Sequence, residues 1–232
     1  AYGMLVEGIK DGVPSFRDVT KETGLMGALP PKGLTDLAVK IGNIAIIDLD
    51  NDSKNDLLVS VIWRDEERAL QPMSFRNLGN GPDGLPRFSK PPMERAVGYY
   101  ASSPIVDFDR DGRVDFFLGA WFDWDETPSI LFRNVTEGGH WLIVRVAGSG
   151  RRNTMGVGAT VRVYEAGRAG EPDALLQRSD IVVSNGYSSG EEALAHLGLG
   201  TNAVVDVVVR WDDETKTLAG VMADQYLRVD FK

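Results

Sequence analysis

Apolar residues in this chain fall in short runs rather than at helical spacing. The runs 44–47, 57–63, 103–106, 116–121, 142–146, 159–164, 204–211 and 226–231 are rich in Val, Ile, Phe and Trp and are bounded by Gly, Pro, Asn and Asp, which is the pattern of β-strands. Several alternate: Val161 and Val163 flank Arg162, and Leu227, Val229 and Phe231 interleave with Arg228 and Asp230. Such alternation predicts strands with one buried face. The chain therefore reads as all-β. The best helical stretch is a turn or two at 189–195.

Comparing the chain with itself adds a repeat. AIIDLDNDSKNDLLVSVIW from Ala45 aligns without a gap to PIVDFDRDGRVDFFLGAWF from Pro104, 59 residues on. Each is followed by a related phrase, Phe75-Arg76-Asn77 and Phe132-Arg133-Asn134, and SFRDVTKETGL from Ser15 echoes the close of such a unit. Residues 1–136 thus hold two full repeats and the end of another. Beyond about Gly138 the β runs lengthen, the joints become glycine-rich and the acidic loops stop, so a domain boundary is expected between Asn134 and His140. The formal charge is −6 over residues 1–136 and −3 over residues 137–232.

Eight carboxylates of the first part sit in two loops. Counting from the first aspartate, Asp48, Asp50, Asp52 and Asp56 occupy positions 1, 3, 5 and 9, as do Asp107, Asp109, Asp111 and Asp115. Four carboxylates converging within nine residues repel one another and call for a cation. Their number and hardness suit calcium, which takes six to eight oxygens, with the position-7 carbonyls of Lys54 and Arg113 as further ligands. Two structural calcium sites are expected. Gly112 suits the sharp turn at position 6, where the other loop has Ser53. An EF-hand is excluded, because position 12 is Val59 or Leu118 rather than Glu and no helices flank the loop. The plainer alternative is a pair of solvated turns, since Asp and Asn are common turn formers.

These loops and the F-R-N phrases resemble the FG-GAP or VCBS repeats of integrin-type β-propellers and bacterial surface proteins. The resemblance implies calcium-stabilised propeller-type blades, here an incomplete set, over residues 1–136. Residues 137–232 resemble the ASPIC/UnbV domain that follows such repeats in the cartilage acidic protein family. His140-Trp141-Leu142, the stretch 156–161, Gly186-Tyr187-Ser188, Leu197-Gly198-Leu199-Gly200 and Val209-Arg210-Trp211 carry it. It implies a β-sandwich-like domain, and the chain departs from it at Asp212-Asp213-Glu214. Trp141 and Trp211 are expected in the core, and Arg145, Arg151 and Arg152 as a solvated loop or a small anion patch.

Composition removes several function classes. The chain has 232 residues, no cysteine, a net charge of −9 and a pI near 4.8. That excludes disulfides and thiol chemistry and argues against nucleic-acid binding, which needs clustered Lys and Arg. No apolar run reaches the roughly 18 residues of a membrane span, and the start at Ala1 suggests a processed or partial chain. Gly186-Tyr187-Ser188-Ser189-Gly190 fits G-x-S-x-G, but His196 follows only eight residues on with no α/β pattern, so Ser188 is not read as a nucleophile. His140 and His196 form no metal-type pair. Gly156-Val157-Gly158 and Gly198-Leu199-Gly200 lack the rest of a dinucleotide fingerprint. Asn51 and Asn134 head formal glycosylation sequons. The expected function is a non-enzymatic calcium-binding module, secreted, surface-exposed or periplasmic, that binds a protein or glycan in adhesion. The alternative is an accessory carbohydrate-binding or structural portion of a larger secreted enzyme, using Trp121, Asp123, Trp124 and Asp125.

Overall fold

The computed structural model describes residues 4–10, 12–25, 39–63, 73–89, 100–102, 104–120, 129–184 and 190–232. Among them the chain is all-β, with a short 3-10 turn at Pro172–Ala174 and no helix long and apolar enough to cross a membrane. The stretch expected to turn helically does not: residues 190–194 are irregular, Ala195 opens a strand, and Ser189 lies outside the described residues. Alternate burial of Ala193, Ala195 and Leu197 in one core favours the extended form there.

β1 (Met4–Lys10) and β2 (Val13–Asp18) form an antiparallel hairpin. The first repeat is an antiparallel meander of β3 (Val39–Ile47), β4 (Asp56–Trp63), β5 (Met73–Asn80) and β6 (Pro86–Ser89). In the second, β7 (Tyr100–Ser102) and β8 (Ile105–Val106) pair with β9 (Asp115–Ala120), which also pairs with β10 (Ile130–Phe132). The registers repeat as the sequence does. Ile47 opposes Asp56 as Val106 opposes Asp115, and Phe75 opposes Leu57 as Phe132 opposes Phe116. One small core joins the repeats, with Ala45, Ile47 and Leu58 of the first packed with Val114 and Phe116 of the second.

The remainder is a β-sandwich. One sheet has the order β14 (Ala195–Gly200), β11 (His140–Gly148), β17 (Gln225–Phe231), with β11 and β17 parallel. The other is antiparallel and runs β13 (Leu175–Asp180), β12 (Thr160–Glu165), β15 (Val204–Trp211), β16 (Glu214–Met222). Both sheets send alternate residues into a shared core: Leu142, Val144 and Val146, then Leu197 and Leu199, face Val161, Val163, Val205, Val207 and Val209. Fully burying each such side chain contributes about 1.5–3 kcal/mol, so this core is the main anchor of the fold.

Candidate metal centres

Each acidic loop starts where one strand ends and finishes on the first residue of the next. The position-1 carboxylate organises it. Asp48 Oδ1 accepts the Asp52 N–H at 3.0 Å and Oδ2 the Ser53 N–H at 2.8 Å; Asp107 takes the Asp111 and Gly112 N–H groups at 3.0 and 2.9 Å. The position-9 carboxylate closes it. Asp56 accepts the Leu49 N–H at 3.0 Å and the Asn77 N–H at 2.6 Å, and Asp115 those of Phe108 at 3.1 Å and Asn134 at 2.7 Å. Position 6 is left-handed in both loops, with φ 71° at Ser53 and 83° at Gly112. Ser53 thus adopts the turn expected of glycine, at a strain of about 1–2 kcal/mol.

Three aspartates converge in each loop. Carboxylate oxygens of Asp48, Asp50 and Asp56 lie within 4.8 Å of one another, and so do those of Asp107, Asp109 and Asp115. Asp52 and Asp111 do not join these groups. Asp52 pairs with Lys54 Nζ at 2.6 Å and Asp111 with the Arg113 guanidinium, so the position-7 side chains neutralise position 5 while their carbonyls remain the expected ligands.

The F-R-N phrases, read from sequence only as a repeat marker, belong to the sites. Their asparagines supply the backbone N–H groups to Asp56 and Asp115, and Arg133 reaches Asp109 at 2.6 Å and Asp111 at 3.2 Å. Arg76 lies against Asp50 as an ion pair, with no N–H aligned for a hydrogen bond. Asp50 is only 3 % exposed, yet neither of its carboxylate oxygens has a hydrogen-bond donor.

Burial sets the electrostatics. It pushes Asp48 up to about 7, with the neighbouring Asp52 adding to the rise, and it raises Asp50, Asp56 and Asp115 as well. A buried carboxylate without a hydrogen-bond donor is costly, and a hard divalent cation is the group whose preferences an all-oxygen donor set meets. The residues present therefore fit a metal of that class.

Both loops press against the sandwich. The Gly139 N–H donates to the Asp50 carbonyl at 3.0 Å, the Gly200 N–H to the Asn51 carbonyl at 2.8 Å, and Ser53 Oγ to the Gly198 carbonyl at 3.2 Å. The Gly112 carbonyl accepts from Asn51 Nδ2 at 3.0 Å and His196 Nε2 at 2.9 Å. Asn134 Nδ2 ties the second repeat to the Leu49 carbonyl at 2.7 Å.

The family model described as ASPIC and UnbV matches residues 148–232. Over that stretch the chain is similar to ASPIC/UnbV domains. No curated protein matches the chain. Structurally the unit reaches back to His140, because β11 is the central strand between β14 and β17. Within the ASPIC/UnbV domain Trp211 is 4 % exposed and packs edge-on against Phe231, as a core residue. Arg152 lies over both rings and bonds Glu214 at 2.6 Å, with Asp212 and Asp213 each 3.8 Å away. The acidic turn that departs from the family pattern thus surrounds this arginine, which leaves it no part in an anion patch.

The remaining sequence candidates divide. His140 Nδ1 lies 2.7 Å from Asp224 on the surface. His196 is held in the junction, its imidazolium disfavoured by burial. Ser188 and the 121–125 aromatic loop lie outside the described residues. A cavity of about 270 Å³ between repeats and domain is lined by Ile46, Ile105, Ile143, Val182, Glu191 and His196. Glu191 Oε1 is buried there without a partner, and burial pushes its carboxyl up to about 7. A folded-state value above the ordinary one means stability is retained at low pH and lost as pH rises through about 7. Glu191→Gln is therefore expected to raise the melting temperature at pH 8 and to leave it nearly unchanged at pH 4, below the ordinary value of 4.5; equal melts at pH 8 would show that the carboxylate is compensated.

Proposed function

We propose that this chain is a non-catalytic calcium-binding module of FG-GAP/VCBS character, working outside the cytoplasm and presenting its ASPIC/UnbV domain to a protein or glycan partner. The observation carrying this reading is the buried, donorless carboxylate of Asp50 inside a three-aspartate cluster that recurs 59 residues on. Asp48, Asp50 and Asp56, with the Lys54 carbonyl, would hold one ion; Asp107, Asp109 and Asp115, with the Arg113 carbonyl, would hold the other. Asp52 and Asp111 would support the cages from their ion pairs. Bound calcium would supply positive charge to both clusters, the first of them buried throughout, fixing the strand ends and the junction with the domain. Millimolar extracellular calcium sustains even weak sites of this type, which favours an exported setting.

Calcium uptake by the chelator-stripped protein tests this. Two equivalents should bind in preference to magnesium, and Asp50→Ala and Asp109→Ala should each remove one. No uptake at millimolar calcium would return the loops to solvated turns and end the proposal.

A further inference from the structure

The position-1 aspartates have one more hydrogen bond each, and both come from the ASPIC/UnbV domain. Gln177 Nε2, on β13, donates to Asp48 Oδ2 at 2.7 Å. Tyr226 Oη, on β17, donates to Asp107 Oδ2 at 2.9 Å. These strands belong to opposite sheets of the sandwich, and the two residues share neither type nor sequence context. Yet they perform the same act on repeat-related carboxylates.

The lone-pair count gives that act a meaning. A carboxylate oxygen accepts about two hydrogen bonds. Asp48 Oδ2 already takes the Ser53 N–H, so Gln177 fills it; Asp107 Oδ2 takes the Gly112 N–H, so Tyr226 fills it. Each Oδ1 has a single hydrogen-bond donor, the N–H of Asp52 or Asp111, and keeps one lone pair. The surroundings hold both donors in place. Gln177 is 7 % exposed and Asp48 3 %. The Tyr226 ring meets Trp141 edge-on with centroids 5.7 Å apart, and Arg110 stands 5.9 Å from its centroid.

We infer that Gln177 and Tyr226 are positioning residues through which the ASPIC/UnbV domain completes the two metal loops, Gln177 for 48–56 and Tyr226 for 107–115. By occupying Oδ2 they leave Oδ1 as the metal-facing atom, so each position-1 aspartate binds through one oxygen in a fixed orientation. Outer hydrogen bonds of this kind typically govern metal affinity by about 10–100-fold. The domain is then a structural part of both sites, and metal binding and docking reinforce each other reciprocally. This inference rests on the calcium reading above.

Calorimetric calcium titration of the full chain tests it, with Asp109→Ala reporting loop 48–56 alone and Asp50→Ala reporting loop 107–115 alone. Gln177→Met, close in size but without the donor, should weaken the first site at least tenfold and leave the second unchanged. Tyr226→Phe, which loses only the hydroxyl, should do the reverse. Unaltered affinities in both variants, or equal weakening of both sites by each, would overturn the assignment while leaving the calcium reading intact. Absence of uptake by the unsubstituted chain would overturn both together.

Discussion

Gly112→Ala should lower stability by about 2–5 kcal/mol, combining left-handed strain of about 1–2 kcal/mol with overpacking of about 1–3 kcal/mol. Gly112 has φ 83°, and a methyl group there would lie 2.0 Å from Trp141 Cε2 and 2.1 Å from Nε1. The indole must then move, and its edge contact with Tyr226 moves with it. The carbonyl of the same residue accepts from Asn51 and His196, so backbone displacement loosens both the inter-loop and the loop-to-domain bonds. For a chain of this length the loss corresponds to roughly 4–20 °C in melting temperature. Gly150→Ala separates the two causes, because Gly150 has φ 68° with open space around it and carries the strain alone. Equal melting temperatures for the two variants would mean that Trp141 yields freely and the junction is soft.

Without metal, the protein should become less stable as pH rises from 5 to 8, and calcium should abolish or reverse that trend. Burial, followed by the neighbouring Asp52, pushes Asp48 up to about 7, and burial raises Asp50, Asp56 and Asp115 too. Each of these has a folded-state value above its unfolded one. Their favourable contribution is therefore complete below the unfolded value near 3.8 and is lost as pH climbs through the folded values, for Asp48 about 7. Calcium requires the ionised form, so protons compete with it and its effect is greatest at pH 8. At a hundred times Kd each site contributes about 2.7 kcal/mol, and two sites should raise the melting temperature by roughly 10–20 °C. Melts over a grid of pH and calcium concentration provide the check. A chelated protein whose melting temperature is flat between pH 5 and 8 would show that its carboxylates are already compensated.

The parts of this architecture that depend on neighbours along the chain are legible in the sequence. Alternating strands such as β12 and β17, and the spacing of the acidic loops, are short-range signals. The parts that depend on approach between distant backbones are not. One role of Asn77 lies in its main-chain N–H, which reaches Asp56 across 21 residues, a contact that no side-chain type announces. Gly198 reads as a turn residue, yet it lies within β14 and is small because a methyl group would fall 2.0 Å from Asp48 Oδ2. The ion pairs of Asp52 and Asp111 are not legible either, because spacing cannot tell which carboxylate a nearby Lys54 or Arg113 will claim. Strands β13 and β16 escape notice for a simpler reason: each buries little, so neither needs an apolar run.

The parallel pairing of β11 with β17 also imposes an order of events during synthesis. Seventy-six residues separate Gly148 from Gln225, which at about 5–20 residues per second is roughly 4–15 s of translation. Through that interval β11 has emerged without its parallel neighbour, and loop 107–115 waits without the Tyr226 hydroxyl. The second acidic loop therefore matures late, after the strand that completes it has left the ribosome.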